Sequence, residues 1–132
     1  MKEKELIEQA LKARARAYAP YSKFAVGAAL LAKSGNIYLG CNVESASFSP
    51  TCCAERVAFF NAVSNSEKEF SAIAMVGGNI DDKNLKLCSP CGVCRQVMSE
   101  FCSSDFKIIL SDGAENVKIY TLDELLPLSF TM

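Results

Sequence analysis

The sequence contains no histidine and no tryptophan among its 132 residues. The absence of histidine excludes a Ser-His-Asp triad, a histidine base and histidine metal ligands, so any acid–base or metal chemistry must use other side chains. Four prolines and seven glycines are few, and nothing in the composition indicates disorder or low complexity. We predict a single domain over residues 1–132, which is long enough to bury its own core.

The chain also lacks an excess of charge of one sign. Fourteen basic and 15 acidic residues give a net charge of −1, and the sequence pI is about 5.5. Proteins that bind nucleic acid through its phosphates usually present a basic face. The charge balance therefore favours a free small molecule as substrate, without a nucleic-acid partner. We interpret the short basic run Lys12, Arg14 and Arg16 as a solvated helix face.

Long hydrophobic runs are missing as well. No apolar run approaches the roughly 20 residues of a membrane span, and residues 1–5 (MKEKE) lack the apolar stretch of a secretory signal. Seven cysteines, an odd number, then fit best with reduced thiols, some of which hold a metal. We therefore expect a cytoplasmic protein with no membrane partner.

The hydrophobic pattern predicts helices mixed with strands. Helices are predicted over residues 2–18, ended by Pro20, and over residues 53–63, 90–101 and 122–126. Strands are predicted over residues 24–32, 37–42, 70–76, 106–110 and 117–120, with a turn at 34–36 and polar loops at 45–51 and 79–84. This order predicts an α/β fold, a three-layer α-β-α sandwich around a mixed sheet of about five strands.

The spacing of three cysteines indicates a metal site. Cys53 stands two residues before Glu55, and a Pro-Cys-x-x-Cys segment with Cys91 and Cys94 follows about 35 residues later. Two cysteines three apart at a helix start can face one point, and a helix N-terminus favours the thiolate. Three thiolates from Cys53, Cys91 and Cys94 would leave a fourth zinc position for water, which is typical of catalytic zinc.

Spacing alone leaves other arrangements open. Cys88 forms a second Cys-x-x-Cys with Cys91, and Cys52 competes with Cys53. A closed structural zinc site with a fourth cysteine, a thioredoxin-type redox pair and purely structural cysteines are the alternatives. None of them explains why Glu55 follows Cys53 by two residues. The cysteines that we predict to be small buried hydrophobic residues are Cys41, Cys52, Cys88 and Cys102.

The net charge of such a site needs an explanation. Three thiolates and Zn²⁺ sum to −1, which makes water at the metal less acidic than it would be with neutral ligands. The two helix dipoles and Arg56 are candidates to offset this charge. We predict that Arg56 lies near the thiolates and withdraws charge by hydrogen bonding to sulfur.

The chain resembles the cytidine deaminase family, specifically its small homotetrameric type with three zinc cysteines. The resemblance covers almost the whole chain and rests on residues 21–30 (YSKFAVGAAL), 42–44 (NVE), 53–56 (CAER), 90–96 (PCGVCRQ) and 125–127 (LLP). It implies one Zn²⁺ per subunit on Cys53, Cys91 and Cys94. The implied reaction is hydrolysis of cytidine and 2′-deoxycytidine to uridine and 2′-deoxyuridine with release of ammonia, in pyrimidine salvage.

The resemblance also implies roles for individual residues. Glu55 would take a proton from the attacking water, deliver it to N3 of the pyrimidine, and protonate the departing ammonia. The implied substrate contacts are the Ala54 backbone N–H to the base, Asn42 and Glu44 to the ribose hydroxyls, Phe24 against the nucleoside, and Phe130 of a neighbouring subunit stacked on the base.

One departure and two other functions remain open. Phe48 stands where the family usually has a tyrosine near the ribose and the subunit interface, and the lost hydrogen bond is worth roughly 0.5–1.5 kcal/mol.

A deaminase of an antibiotic nucleoside such as blasticidin S would use the same fold, but Asn42, Glu44 and Phe130 favour an ordinary ribose. A non-catalytic zinc-binding nucleoside or RNA-binding module is the other possibility, against which Glu55 counts.

Overall fold

The structure, a computed structural model, describes residues 2–81, 85–113 and 115–132. Residues 82–84 of the predicted 79–84 loop lie outside the described residues. The elements are α1 (Lys2–Arg14), β1 (Phe24–Ala32), β2 (Ile37–Cys41), α2 (Ala54–Ser64), β3 (Phe70–Asn79), α3 (Gly92–Phe101), β4 (Lys107–Ser111), β5 (Val117–Thr121) and α4 (Leu122–Leu125). Over the described ranges, none of the helices is both long enough and apolar enough to cross a membrane.

The strands form one mixed sheet in the order β2-β1-β3-β4-β5. Only the β3–β4 pair is parallel among these neighbours, and α3 supplies the crossover that a parallel pair requires. β3 continues to Asn79, beyond the predicted end at Val76, because it pairs with β1 as far as Phe24. The predicted mixed sheet of five strands is confirmed.

Helices cover both faces of the sheet. Ala28 and Leu30 of β1 pack in a cluster with residues of α2 and α3, whereas Ala29 and Leu31 pack with residues of α1. Because β1 is buried on both faces, its sequence is a continuous apolar run and does not alternate. The predicted three-layer α-β-α arrangement is confirmed.

A close backbone contact sets the position of α2 on the sheet. A Cβ atom built at Gly40 of β2 would lie 2.3 Å from the Ala54 carbonyl oxygen and 2.4 Å from the Ala58 nitrogen. Glycine therefore lets the first turns of α2 lie directly against the strand. This contact fixes the start of α2, where Cys53 and Glu55 are found.

The first helix is shorter than predicted. It ends at Arg14 and does not continue to residue 18, because Tyr18 pairs with the segment after β2. The Tyr18 N–H donates to the Asn42 carbonyl at 2.9 Å, and the Tyr18 carbonyl accepts from the Glu44 N–H at 2.9 Å. Tyr18 thereby anchors the segment that carries Asn42 and Glu44.

The interpretation of Arg14 as part of a solvated helix face is wrong. Its side chain is half-buried and donates to the carbonyl oxygens of Ala25, Gly78 and Asn79, each at 3.0 Å. The guanidinium satisfies backbone acceptors of β1 and β3 near their ends. The ends of the other predicted elements lie within two residues of the observed ones.

Candidate active site

Two helix N-termini converge on one point. Cys53 is the N-cap residue of α2 and Cys91 is the N-cap residue of α3, both with extended backbone. Neither side chain makes a capping hydrogen bond, so both sulfur atoms remain available as ligands. Cys94 follows in the first turn of α3. The N–H groups and dipoles of both helices favour negative charge here.

The three sulfur atoms form a group that fits a metal ion. The Sγ atoms of Cys53 and Cys91 are 3.8 Å apart, those of Cys91 and Cys94 are 3.3 Å apart, and all three lie within 4.8 Å of one another. Zinc–sulfur bonds of about 2.3 Å in tetrahedral geometry place two sulfurs about 3.8 Å apart. We call Cys53, Cys91 and Cys94 the thiol cluster.

The competing ligand sets are not formed in the described part of the chain. The thiol cluster there includes neither Cys52 nor Cys88. Three protein sulfurs are therefore grouped, and a fourth cysteine does not close the site. An open fourth position is the arrangement of catalytic zinc.

Arg56 makes the predicted contact with the thiol cluster. Its Nη2 atom donates to Cys53 Sγ at 3.5 Å. The pKa of the Cys53 thiol is lowered to about 5, first by a hydrogen bond from Cys94 and then by Arg56. The pKa of Cys94 is raised because it shares its proton with Cys53 and because it is buried. The cluster thus holds thiolate charge, which the guanidinium partly balances.

Glu55 lies beside the thiol cluster in the first turn of α2. It is only 3% exposed, and burial raises its pKa to about 7, with the negative charge of Cys53 adding to the effect. A carboxyl group that titrates near neutral pH can both accept and release a proton. The structure therefore provides a proton-transferring group next to a potential metal site.

A cavity of about 320 Å³ opens in front of Glu55. It brings five of the predicted site residues together with two sulfurs of the thiol cluster. The residues that line it are Ser22, Phe24, Val26, Asn42, Glu44, Thr51, Cys52, Cys53, Ala54, Glu55, Met75, Cys88, Ser89 and Cys91.

Glu44 is held in the cavity wall by the loop before β1. Its Oε1 accepts the backbone N–H groups of Tyr21 and Ser22, each at 3.1 Å, and its Oε2 accepts the Ser22 hydroxyl. These bonds, with the Ser22 hydroxyl first, lower the pKa of Glu44. The sequence analysis assigned no role to Ser22, although Ser22 lies within the segment 21–30 on which the family resemblance rests.

The Asn42 amide is oriented by the first residues of β1. Its Oδ1 accepts the Val26 N–H at 2.9 Å, and its Nδ2 donates to the Phe24 carbonyl at 2.8 Å. One amide hydrogen and one lone pair remain for another partner. The same bonds position Phe24, whose ring contributes to the cavity.

Phe130 and Phe48 lie outside the cavity lining of their own chain. Phe130 is 67% exposed, and its carbonyl accepts from Gln96 Nε2 at 3.2 Å. Phe48 is 80% exposed in the loop after β2 and has a left-handed backbone with φ of 57°. Within one chain, therefore, Phe130 lies outside the lining of this cavity, whereas Phe48 lines a smaller adjoining cavity that shares Ser22, Glu44 and Thr51 with it.

The prediction that the other four cysteines are small buried hydrophobic residues is only partly right: Cys88 and Cys102 pack against the core, but none of the four is fully buried. Cys41, Cys52, Cys88 and Cys102 are all half-buried, and Cys52 and Cys88 belong to the cavity wall. Cys52 and Cys88 stand close to thiol-cluster residues in sequence, so the cavity that reaches the cluster also reaches them. Burial raises the pKa of Cys88 to about 11 and that of Cys102 to about 12, so both remain thiols.

Comparison with known proteins identifies the family. The family model described as cytidine and deoxycytidylate deaminase zinc-binding region matches residues 1–110. The chain belongs to the cytidine and deoxycytidylate deaminase family, whose matched region binds zinc, and the thiol cluster is a group that could hold that ion.

Individual relatives cover nearly the whole chain. A cytidine deaminase of Sporosarcina psychrophila is 46% identical over 127 residues, which are 96% of this chain and 90% of the relative. The crystal structure of a cytidine deaminase from Burkholderia pseudomallei superposes with a TM-score of 0.88 at 42% identity, covering 98% of this chain and 100% of that one. A blasticidin-S deaminase of Bacillus cereus is 35% identical over 130 residues, covering 96% and 91% of the two chains.

Proposed function

We propose that the protein is a zinc-dependent hydrolase that converts cytidine and 2′-deoxycytidine to uridine and 2′-deoxyuridine with release of ammonia. The observation that carries the proposal is buried Glu55 beside the thiol cluster, at a cavity that also contains Asn42 and Glu44. The family membership and the similarity to cytidine deaminases support it. We place the reaction in pyrimidine salvage in the cytoplasm, where the seven free cysteines would stay reduced.

The proposed chemistry divides the work between metal and carboxylate. Cys53, Cys91 and Cys94 would hold the zinc ion, which would act as a Lewis acid and make water nucleophilic near neutral pH. Glu55 takes a proton from the attacking water and delivers it to N3 of the pyrimidine, while the water oxygen adds to C4. Glu55 then transfers the second water proton to the amino group, the C4–N bond breaks, and ammonia leaves. Arg56 limits the negative charge on sulfur throughout, through its bond to Cys53.

The remaining residues bind and orient the nucleoside in this proposal. Ala54 is the first residue of α2, so its N–H has no partner within the helix and is free to meet the base. Glu44 and the free hydrogen-bonding capacity of Asn42 take the ribose hydroxyls. Phe24 packs against the nucleoside from the cavity wall.

A direct assay tests the function. The purified, zinc-loaded protein should convert cytidine to uridine, with loss of cytosine absorbance and release of one ammonia per uridine formed. Chelation of zinc should abolish turnover, and added zinc should restore it. No turnover of cytidine or 2′-deoxycytidine by protein with one zinc per chain would contradict the proposal.

Deamination of an antibiotic nucleoside is a second candidate, because a blasticidin-S deaminase covers 96% of the chain at 35% identity. Blasticidin S should be included as a parallel substrate. A kcat/KM for blasticidin S above that for cytidine would reverse the order of the two candidates. We expect cytidine to be the better substrate, since Glu44 is suited to accept ribose hydroxyls.

We further propose a homotetramer in which Phe130 of one subunit stacks on the base in a neighbouring cavity. The support is that the Phe130 ring is 67% exposed and lies outside its own chain's cavity. The Phe130→Ala variant should keep its solution mass and raise KM about tenfold, because an aromatic stacking contact is worth on the order of 1–3 kcal/mol per base.

The matched control is Met132→Ala, another exposed apolar residue of the same tail. Light scattering gives the mass, and steady-state kinetics give KM. A fully active monomer, or a KM that Phe130→Ala leaves at the wild-type value, would rule out the shared cavity.

A further inference from the structure

Ser22 occupies a central position in the hydrogen bonds around the cavity. Its hydroxyl donates to Glu44 Oε2, and its backbone N–H donates to Glu44 Oε1 at 3.1 Å. The same hydroxyl oxygen accepts the Phe24 backbone N–H at 3.0 Å. One side chain thus links the carboxylate on one side of the cavity with the aromatic residue on another.

The backbone around Ser22 is built to hold this geometry. Lys23, between Ser22 and Phe24, has a left-handed conformation with φ of 60°, which a non-glycine residue rarely adopts. Its N–H donates to the Ala19 carbonyl at 3.1 Å, and its carbonyl accepts the Ile80 N–H at 2.7 Å. These bonds fix the turn, and the turn directs the Ser22 hydroxyl toward Glu44.

We propose that Ser22 is a positioning residue for nucleoside binding, which acts by holding the Glu44 carboxylate in the orientation that accepts the ribose hydroxyls. The inference rests on the proposed function, in which Glu44 contacts the ribose. Ser22 touches neither the base nor the reacting atoms in this role, so it acts on ribose affinity through Glu44.

The physical reason is preorganisation. A glutamate side chain has several rotatable bonds, and ordering a rotamer-rich side chain on binding lowers affinity. Three donors from Tyr21 and Ser22 fix Glu44 before the nucleoside arrives. Four acceptor sites exist on a carboxylate, so this arrangement still leaves capacity for a ribose hydroxyl.

The test compares Ser22→Ala with the wild-type protein on two substrates, cytidine and 2′,3′-dideoxycytidine, which lacks the ribose 2′- and 3′-hydroxyls. We expect Ser22→Ala to raise KM for cytidine about tenfold and to change kcat less than about threefold. For the dideoxynucleoside, the ratio of variant to wild-type KM should stay near one. Ser22→Thr, which keeps the hydroxyl, should restore most of the cytidine affinity.

Ser34→Ala is the matched control. Ser34 Oγ donates to Glu67 Oε2 at 2.6 Å, so this substitution removes the same kind of serine–glutamate hydrogen bond at a position away from the cavity. It should leave both KM values unchanged. Should Ser22→Ala fail to fold, Ser22→Cys provides a side chain of similar shape that hydrogen bonds weakly.

The outcomes separate this inference from the proposed function. Failure of the wild-type protein to deaminate cytidine would overturn the proposed function itself. With an active wild type, an unchanged KM for Ser22→Ala, or an equal rise in KM for both substrates, would overturn the role of Ser22 alone. Failure of both Ser22→Ala and Ser22→Cys to fold would also overturn it, because Ser22 would then be a purely structural residue.

Discussion

Replacing Glu55 by glutamine should lower kcat for cytidine by roughly 10³-fold or more while the protein keeps its zinc. Positioned acid–base groups typically contribute about 10²- to 10⁴-fold to rate, and Glu55 serves several proton transfers in the proposed reaction. Glutamine matches the shape of glutamate but cannot carry the proton. Steady-state kinetics and metal analysis of the same preparation measure both parts of the prediction.

The fold should not suffer from this replacement. Because burial raises the pKa of Glu55 to about 7, the folded metal-free protein disfavours the ionised carboxylate. Stability from this group is therefore present at low pH and declines as pH rises through about 7. At pH 8, metal-free Glu55→Gln should unfold at a temperature no lower than the wild type does, since the amide is never charged.

Two observations check the assignment of Glu55. Glu69→Gln, which changes an exposed glutamate, should retain full activity as the matched control. Loss of zinc from Glu55→Gln would identify Glu55 as a metal ligand and contradict its role as a base. Retention of more than about a tenth of the wild-type kcat would likewise contradict it.

Removing one sulfur of the thiol cluster should remove the metal. Cys91→Ala is the preferred variant, because Cys91 is exposed and its loss leaves little cavity in the core. Changes to groups that merely support metal ligands lower affinity about 10- to 100-fold, so the loss of a ligand should lower zinc affinity by more than about 100-fold. Activity should fall to the level of the chelated wild type, since the Lewis acid is lost with the ion.

Cys88→Ala is the control for metal content, because Cys88 forms the competing Cys-x-x-Cys with Cys91 but lies outside the thiol cluster. It should bind one zinc per chain with unchanged affinity. Competition with a coloured chelator measures both affinities. Equal zinc loss from Cys88→Ala and Cys91→Ala would show that the ligand set includes Cys88.

The elements and the thiol cluster could be predicted because their signals are local. Apolar periodicity predicted the helices and strands. The Cys-x-x-Cys segment with a proline before it predicted the start of a helix, where the sulfur atoms of Cys91 and Cys94 lie close together. Cys53 could be predicted to join Cys91 and Cys94 because a catalytic zinc site needs a third protein ligand, and Cys53 also directly precedes a helix. These are short-range rules that one sequence can satisfy by itself.

Other features depend on contacts between distant segments. Arg14 looked like a surface residue, but tertiary folding brings three carbonyls from two strands to its guanidinium. The partnership of Ser22 with Glu44 joins residues 22 positions apart. No periodicity or spacing encodes such pairs, because they depend on how the loop before β1 meets the segment after β2.

Gly40 has no side chain, yet its contact with α2 determines where two groups of the candidate site lie. Its backbone meets α2 at Ala54 and Ala58, and the same helix start carries Cys53 and Glu55. Any displacement of α2 away from β2 would move the sulfur and the carboxylate together, as one rigid unit, relative to Cys91 and Cys94 on α3. The distance between the Cys53 sulfur and the Glu55 carboxylate is thus set at the start of one helix, whereas the distance from that sulfur to Cys91 and Cys94 depends on how closely the helix packs on the sheet.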